Sequence, residues 1–389
     1  MRNWRAGGFG YETFAQRGAI KGPMKVLHVV HSLDPGGMEN GVCNIAKGLA
    51  SRGVETHVAC LERRGAFAER LPEPSQVHVL GKGKGFSLRA TWNLWRTFRR
   101  VRPDVIHTHN LGPLVYTSLA TWGGRTRRIV HGEHSLLAPW ELEARRLRQR
   151  QKLYRRCGAV HTVSTVQLDE LHRLGFAHPR LRSIPNGVDT ARFSPEGRME
   201  ARAALGLPGD AVAIGLVGRF GPYKRHDALL RAFEVLAVRH PAVRLVLVGG
   251  GGSEETRIRA LAAASAFRDR IHLLGFQADP APCYRALDLL ALPSTNEGMS
   301  NAALEAMASG VPVLGNTGCG HEQILTSGQE GLIADLSSDT VLAQHLGEIL
   351  AAPERLVDMG RAARITVTSR FSLSAMLDAY EQLYRAPAH

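Results

Sequence analysis

Two basic residues follow a short apolar strand in the second half of the chain. The predicted strand Ala211–Val217 leads into GRFGPYKRHD, in which Arg219 and Lys224 stand five positions apart before a predicted helix. Gly218 lets the backbone turn tightly, and the start of a helix adds partial positive charge, so both cations can converge on one anion. The pattern predicts a diphosphate site. A pair of solvated surface cations is the alternative.

Two acidic residues follow a later strand, Leu287–Leu292, in the segment PSTNEGMSNAALEAMASGVPVL. Glu297 lies in the loop, where it can reach a sugar hydroxyl. Glu305 lies eight positions further on, inside a helix, where it can accept hydrogen bonds from a ribose diol. The backbone amides before this helix can meet an anion, and they belong to Gly298, Met299, Ser300 and Asn301. An ordinary helix with an exposed acid is the alternative.

The first half of the chain carries a glycine pair and several histidines. Gly36 and Gly37, in HSLDPGGMENG, either let the backbone approach a phosphate or make a tight turn. The segments VIHTHN and VHGEHS end two strands with His107, His109, His131 and His134. HxH and HxxH at strand ends do not form a closed zinc ligand set. We therefore expect hydrogen bonding in an active site, with purely structural histidines as the alternative, and neither a metal nor a cofactor.

Short β-rich runs alternate with longer helical stretches along the whole chain, which predicts an α/β fold with parallel, doubly wound sheets. The first half has predicted strands at Lys25–Val30, Glu55–Ala59, Val77–Leu80, Val105–His107, Arg128–His131 and Ala159–Val163, and helices at Glu39–Ser51 and Ala90–Val101. The second half adds strands at Val243–Val248, Ile271–Leu274 and Val311–Leu314. Ligands of such sheets bind beyond the carboxyl ends of the strands, where the residues above lie.

The segment IPNGVDTARFSPEG is rich in turn-forming residues and divides the chain near residues 185–205. We expect a flexible extension at residues 1–23, one domain at 24–190, a second at 191–370, and a helix in 371–389 that crosses back to the first domain. A chain of 389 residues has room for two such cores. Five scattered cysteines without a CxxC pair suit a reducing cytoplasm, and no apolar run is long enough to cross a bilayer.

The net charge of +14 is concentrated in residues 1–190, which hold 30 Lys and Arg against 14 Asp and Glu. A basic half beside a near-neutral half predicts an anionic partner for one domain. No nucleic-acid-binding motif is present, so we expect no nucleic acid. An anionic membrane or a phosphate-bearing acceptor remains.

Taken together, these segments resemble the GT-B glycosyltransferases of family 4 (glycosyl transferases group 1). The resemblance covers residues 24–385 and rests on DPGGMENG, PDVIHTHN, HGEHS, VSTVQLDEL, IPNGVDTARF, VGRFGPYKRHD and EGMSNAALEAMASGVPV, in that order. The last carries the E-x7-E signature of retaining transferases. DPGGMENG and HGEHS look most like sugar transferases of bacterial exopolysaccharide loci. The resemblance implies two Rossmann-like domains that face each other across a cleft.

The resemblance also implies roles for individual residues. Arg219 and Lys224, preceded by Gly218, would bind the donor diphosphate, which Gly36 and Gly37 approach from the other domain. Glu297 would hold donor-sugar hydroxyls, Glu305 the ribose, and the base would rest near Gly275 and Phe276. His134 matches the histidine that contacts the transferred sugar, with His131 as a rival in the same loop. The implied catalytic residues are His134, Arg219, Lys224 and Glu297. Further contacts to sugar or acceptor would come from His109, His131 and Asn186.

The implied reaction is metal-independent transfer, with retention, of a hexose or N-acetylhexosamine from a nucleoside diphosphate sugar. The acceptor would be lipid-linked or a polysaccharide in bacterial cell-surface glycan synthesis. Fixed cations suit the charge that develops on the departing diphosphate, and no DxD pair is present to hold a metal. A GT-B nucleotide-sugar epimerase is one alternative, and a non-catalytic nucleotide- or nucleic-acid-binding module is another.

The run RRLRQRQKLYRR at residues 145–156 carries seven Lys and Arg in twelve positions. So dense a cluster repels itself unless an anion is near, so we expect Arg145, Arg146, Arg148 and Arg150 to face a membrane or acceptor. Upstream, Trp92, Trp95 and Phe98 share a helix with several arginines, which suits a membrane interface unless the aromatics face the core. We expect a cytoplasmic protein, peripheral on the inner face of the plasma membrane.

Overall fold

A computed structural model of the protein describes residues 23–122 and 128–386; residues 1–22 of the expected extension lie outside that range. In the described chain the first sheet has seven parallel strands in the order β3-β2-β1-β4-β5-β6-β7. These are β1 (Lys25–Ser32), β2 (Glu55–Arg63), β3 (Val77–Val79), β4 (Val105–His109), β5 (Arg128–Glu133), β6 (Ala159–Thr162) and β7 (Leu181–Ser183). The order reverses between β1 and β4, which pair from Val26 with Val105 onward.

Helices follow the strands of this sheet, as a parallel sheet requires. They are α1 (Gly37–Ala50), α2 (Leu88–Val101), α3 (Leu111–Ala120), α4 (Ala144–Tyr154) and α5 (Thr165–Arg173). Ser87 caps α2 by accepting a hydrogen bond from the Ala90 amide, and Ser164 caps α5 in the same way. Three short 3-10 helices lie in the connections of the described chain in this domain, at Ala66–Arg70, Pro74–Gln76 and Pro139–Glu141.

The second sheet has six parallel strands in the order β10-β9-β8-β11-β12-β13, counted over the same described residues. They are β8 (Val212–Val217), β9 (Val243–Val248), β10 (Ile271–Gly275), β11 (Leu289–Leu292), β12 (Val313–Asn316) and β13 (Gly331–Ala334). Its helices are α6 (Arg198–Ala204), α7 (His226–Ala237), α8 (Glu255–Ala264), α9 (Ala281–Arg285), α10 (Asn301–Ala308), α11 (Asp339–Leu350) and α12 (Glu354–Arg370).

Alternate residues of the second sheet face opposite helical layers. Val246 and Leu290 pack with α9, α10 and α12, whereas Leu245 and Leu289 pack with α7, α8 and α11. Both faces are therefore apolar, which explains why these strands appear in the sequence as continuous apolar runs. The molecule has two doubly wound Rossmann-like domains, as predicted.

The last helix, α13 (Leu373–Arg385), packs on the first domain. Leu377 and Tyr380 share a buried cluster with Val26 of β1 and Val105 of β4. The chain thus crosses between domains twice, at the segment before α6 and again at Phe371, whose carbonyl accepts the Val188 amide at 2.9 Å.

The predicted strands all occur, with shifted ends: β11 and β12 each begin two residues later than expected. Strands β7 and β13, of three and four residues, were not predicted, and each lies at a sheet edge. No helix among the described residues is both long and apolar enough to cross a bilayer.

Candidate functional site

The turn after β8 places two cations at a cleft of about 470 Å³ between the domains. Gly218 begins the turn, and a side chain there would contact the Lys224 methylenes at 3.4 Å. Lys224 ends a 3-10 helix just before α7, and both Lys224 and Arg219 line the cleft. Arg219 is exposed there, so its guanidinium is free to approach an anion.

The loop between β11 and α10 forms the facing wall of the same cleft. Ser300 caps α10 by accepting a hydrogen bond from the Ala303 amide at 3.3 Å, which fixes where the helix begins. Glu297 forms an ion pair with Lys224. In the structure Glu297 therefore orients Lys224. A sugar hydroxyl that bonds to Glu297 would have to share its carboxylate with the lysine. The residues at the start of α10 also line the cleft, namely Gly298, Met299, Ser300 and Asn301.

Glu305 lies on the cleft wall one turn into α10. Burial raises the pKa of its carboxyl, although Tyr284, Arg192 and Arg70 each act in the opposite direction. Asn40 of the first domain donates to its Oε1 at 3.3 Å. A partly desolvated carboxylate of this kind can accept hydrogen bonds from a diol with little competition from water.

The glycine pair lies directly opposite, at the start of α1. Asn301 donates from Nδ2 to the Gly37 carbonyl at 2.9 Å, so the two domains touch at this point. A side chain at Gly36 would meet the Glu39 carboxylate, which would have to move aside. Burial raises the pKa of Glu39, and the nearby Arg219 lowers it.

The histidines do not all reach the cleft. His134 lines it and accepts or donates a hydrogen bond with His109 at 2.9 Å. His109 is fully buried behind it. His131 points elsewhere, with Nδ1 2.9 Å from Thr108 Oγ1 and Nε2 3.0 Å from Glu133 Oε1. The structure thus distinguishes the two rivals of the HGEHS loop: His134 faces the cleft and His131 does not.

Two further predicted contacts flank the site. Asn186 lines the cleft and donates to the Met299 carbonyl at 3.3 Å. Phe276 lines it with about half of its surface exposed. Gly275, predicted beside it, is not among the residues that line the cleft, and its carbonyl accepts the Gly249 amide at 2.9 Å.

Family models match both domains: Glycosyltransferase Family 4 over residues 35–192 and Glycosyl transferases group 1 over residues 197–366. The D-inositol 3-phosphate glycosyltransferase of Saccharomonospora viridis is 33% identical over 304 residues, 72% of this chain and 70% of that protein. Its counterpart in Actinosynnema mirum is 32% identical over 364 residues, 82% of this chain and 87% of that protein. The chain belongs to the GT-B glycosyltransferases of family 4.

Solved structures agree on the fold of this family 4 glycosyltransferase. HepE of Anabaena, crystallised with UDP and glucose, superposes with a TM-score of 0.81 and 23% identity over 94% of this chain and all of that one. TarM of S. aureus superposes with a TM-score of 0.74 at 12% identity over 93% of this chain and all of that one. The activity of the family is glycosyl transfer from a nucleotide sugar.

The transferase has cleft residues that sequence reasoning missed. Phe67 and Arg70 come from the 3-10 helix after β2 and line the cleft from the first domain. The Phe67 and Phe276 ring centroids lie 6.4 Å apart, across the domain boundary. Their position in the sequence could have indicated a place at the cleft. Phe67 and Arg70 follow the carboxyl end of a strand beside the switch point of the sheet, where ligands bind.

Arg150 is the clearest correction to the sequence predictions. It was expected to face a membrane or acceptor, but only 2% of its surface is exposed. Its Nε lies 3.6 Å from Glu133 Oε1, and its Nη2 lies 2.5 Å from Glu141 Oε1. Arg150 is on the inner face of α4, so it holds the fold together, whereas Arg145, Arg146 and Arg148 are exposed.

Proposed function

We propose that this enzyme transfers a hexose or N-acetylhexosamine, with retention, from a nucleoside diphosphate sugar to a lipid-linked or polysaccharide acceptor of the bacterial cell surface. The observation that carries the proposal is the convergence of Arg219, Lys224 and Glu305 on one cleft, closed from the other domain by Gly37. Cations at a helix start suit a leaving diphosphate, and a buried carboxylate suits a ribose diol.

The arrangement supports retention without a covalent glycosyl-enzyme. Three carboxylates line the cleft within residues 23–122 and 128–386. Glu297 is held by Lys224, Glu305 contacts Asn40, and Glu39 lies in the first turn of α1, where burial raises its pKa. We assign none of the three the attack on an anomeric carbon. We infer that the acceptor oxygen attacks on the face from which the diphosphate leaves, with a phosphate oxygen taking its proton.

UDP-glucose is the first donor to test, because HepE was crystallised with UDP-glucose. The test incubates the protein with UDP-glucose, UDP-N-acetylglucosamine and GDP-mannose, each with and without a polyprenyl-linked glycan, and measures nucleotide release. We expect release that depends on acceptor, and a product whose anomeric configuration by NMR equals that of the donor. An inverted product contradicts retention. Conversion of the donor sugar without acceptor indicates the epimerase instead.

The curated relatives are named for D-inositol 3-phosphate, a small anionic acceptor. That compound belongs in the acceptor panel beside the lipid-linked glycan. If inositol phosphate is the one compound of the panel that accepts sugar, it takes the place of the lipid-linked acceptor in the proposal. The proposed transferase activity itself would still stand.

We also propose that the enzyme works on the cytoplasmic face of the membrane and docks there through helices α2, α3 and α4, which pack side by side. This basic aromatic face carries exposed apolar side chains at Phe86, Leu88, Trp92, Leu119, Trp122, Trp140 and Leu142. Trp92 is 57% exposed and stacks on Trp95, whereas Phe98 is buried. The exposed arginines of α4 supply positive charge beside it.

Apolar side chains among arginines suit insertion into an anionic lipid surface. The test is co-sedimentation with phosphatidylglycerol vesicles. Substitution of Arg145, Arg146 and Arg148 by Gln should weaken binding, and rising salt should release the wild type. A matched control changes Arg239, Arg268 and Arg361, exposed on the second domain, to Gln. Equal binding by both triple variants contradicts this docking face.

A further inference from the structure

A chain of three histidines, of which His28 and His109 are fully buried and His134 is partly exposed, ends at the cleft. Nδ1 of His28 lies 3.0 Å from Nε2 of His109, and Nδ1 of His109 lies 2.9 Å from Nε2 of His134. Burial lowers the pKa of His28 to about 3 and that of His134 to about 4, and it lowers the pKa of His109 well below its usual value. Each ring is therefore neutral near pH 7 and carries a single N–H.

A second chain of hydrogen-bonded histidines lies beside the first. The groups at its two ends determine which ring nitrogens carry the protons. His161 donates from Nδ1 to the Thr162 carbonyl at 3.4 Å, since a carbonyl can only accept. Its Nε2 then accepts from His107 Nε2–H at 2.9 Å, and His107 Nδ1 accepts from the Tyr384 hydroxyl at 2.6 Å. Every ring nitrogen of this second chain has a partner.

The first chain can be arranged in two directions. If His28 donates to His109 and His109 donates to His134, then His134 carries its proton on Nδ1. In the reverse arrangement His134 donates from Nε2, and an N–H is left at His28 Nε2. That nitrogen is buried and has no hydrogen-bond partner among the described residues. Buried N–H groups without an acceptor are rarer than acceptors without a donor, so the first direction is favoured.

Nδ1 of His134 is the free end of the chain. The residue lines the cleft, and this nitrogen is neither hydrogen-bonded nor among the buried unpaired atoms in residues 23–122 and 128–386. The protein thus leaves it open to a ligand. Whether this nitrogen is a donor or an acceptor is set by His28, which acts on His134 through His109.

We propose that His28 and His109 are positioning residues that hold His134 in the tautomer protonated on Nδ1, so that His134 donates a hydrogen bond to an oxygen of the bound nucleotide sugar. The identity of that ligand rests on the proposed function, but the tautomer does not. A ring held this way has no lone pair on Nδ1. It therefore selects an oxygen that accepts, and it cannot act there as a base.

A metal ion is the competing use of these residues. Ring nitrogens of His28, His107 and His109 lie within 4.8 Å of one another. Both nitrogens of His107 and of His109 are already hydrogen-bonded, however, so an ion would have to break several of these bonds. The geometry favours the hydrogen-bonded chain.

The test is direct assignment of tautomers in the full-length protein labelled with 15N-histidine, by long-range 1H–15N NMR without ligand. We expect His28, His109 and His134 to be protonated on Nδ1, and His107 on Nε2. A His134 signal with its proton on Nε2, or on both nitrogens, overturns the proposal. So does a 15N pattern that changes when a chelator is added, which would indicate a bound ion. None of these outcomes depends on finding a substrate.

Variants then test whether His28 sets the tautomer. His28→Leu should give His134 a mixture of tautomers and lower kcat/KM by roughly three- to tenfold, the effect of losing up to one neutral hydrogen bond. The amide of His28→Asn can donate from about the position of Nδ1. This variant should therefore restore the single His134 tautomer and the wild-type kcat/KM. His161→Leu removes an equally buried ring that packs edge-on to His134, with centroids 6.1 Å apart, but is not hydrogen-bonded to it, so this variant should leave the His134 tautomer unchanged. An unaltered His134 signal in His28→Leu contradicts the positioning role, and wild-type spectra decide the tautomer if that variant does not fold.

Discussion

The two domains place their positive charge by different rules. In the second domain Arg219 and Lys224 follow a parallel strand, and the topology of the sheet delivers both to the cleft. In the first domain the arginines of α4 are adjacent in sequence, yet Arg150 is buried and Arg148 is exposed. A residue after a strand is located by the fold class, whereas a residue in a helix is located by which face packs. The comparison can be tested from both sides.

Arg150→Gln should produce the largest effect, on stability. Removing one partner of a buried ion pair leaves an uncompensated charge, so we expect the free energy of unfolding to fall by about 3 kcal/mol or more. Arg148→Gln, two positions away and exposed, should change it by less than about 0.5 kcal/mol. Urea unfolding measures both. Equal effects would show that the buried pairing does not distinguish these arginines.

The same pair predicts a pH dependence. Burial by itself raises the pKa of Glu133, but Arg150 and hydrogen bonds from His131 and Tyr154 lower it from 4.5 to about 2. A carboxyl whose pKa is lower in the folded state stabilises the protein at any pH above its pKa in the unfolded state. That stabilisation is lost as the pH falls towards the pKa in the folded state. The stability gap between wild type and Arg150→Gln should therefore narrow as the pH drops from 4.5 towards 2.

Arg219→Ala and Lys224→Ala should each lower kcat by about 100-fold, since on the proposed function each removes a cation that stabilises charge on the leaving diphosphate. Arg219 is exposed, so Arg219→Ala should change the free energy of unfolding little, whereas Lys224→Ala leaves the largely buried Glu297 without its ion-pair partner and should lower it. Arg239→Ala, exposed on the same domain, is the control. Near-normal turnover in both cleft variants would remove the diphosphate site and with it the contrast between the domains.

Glu305→Gln should weaken binding of free UDP by about tenfold, because on the proposed function it removes a charge-assisted hydrogen bond to the ribose. The pKa of Glu305 is raised by burial. Wild-type affinity should therefore fall as the pH is lowered through that raised pKa, while the variant stays weak and flat. Glu297→Gln should instead reduce turnover more than UDP affinity. Calorimetry across pH separates the two, and equal UDP affinity of wild type and Glu305→Gln contradicts the ribose role.

Much of this molecule could be predicted because local patterns and topology agree. Buried parallel strands are continuous apolar runs, and cleft residues such as Glu305 follow them at the expected edge. The rest depends on contacts between distant segments. Phe67 reaches the cleft only because β2 neighbours β1, and Arg150 is buried only because Glu133 and Glu141 lie beneath α4. The orientation of His134 likewise depends on His109, 25 positions away in sequence.

Removal of metal should have the smallest effect. On the proposed function Arg219 and Lys224 balance the charge of the diphosphate in place of a divalent ion, so turnover should be unchanged within about twofold in excess EDTA. The control is Lys224→Ala assayed with and without Mg²⁺. Partial recovery of that variant by Mg²⁺ would support cation replacement, since the ion would then supply the missing charge. Complete loss of wild-type activity in EDTA, restored by zinc, would instead locate a metal among His28, His107 and His109, the three ring nitrogens within 4.8 Å of one another. The first domain would then hold a catalytic cation of its own, and the contrast between the domains would fail.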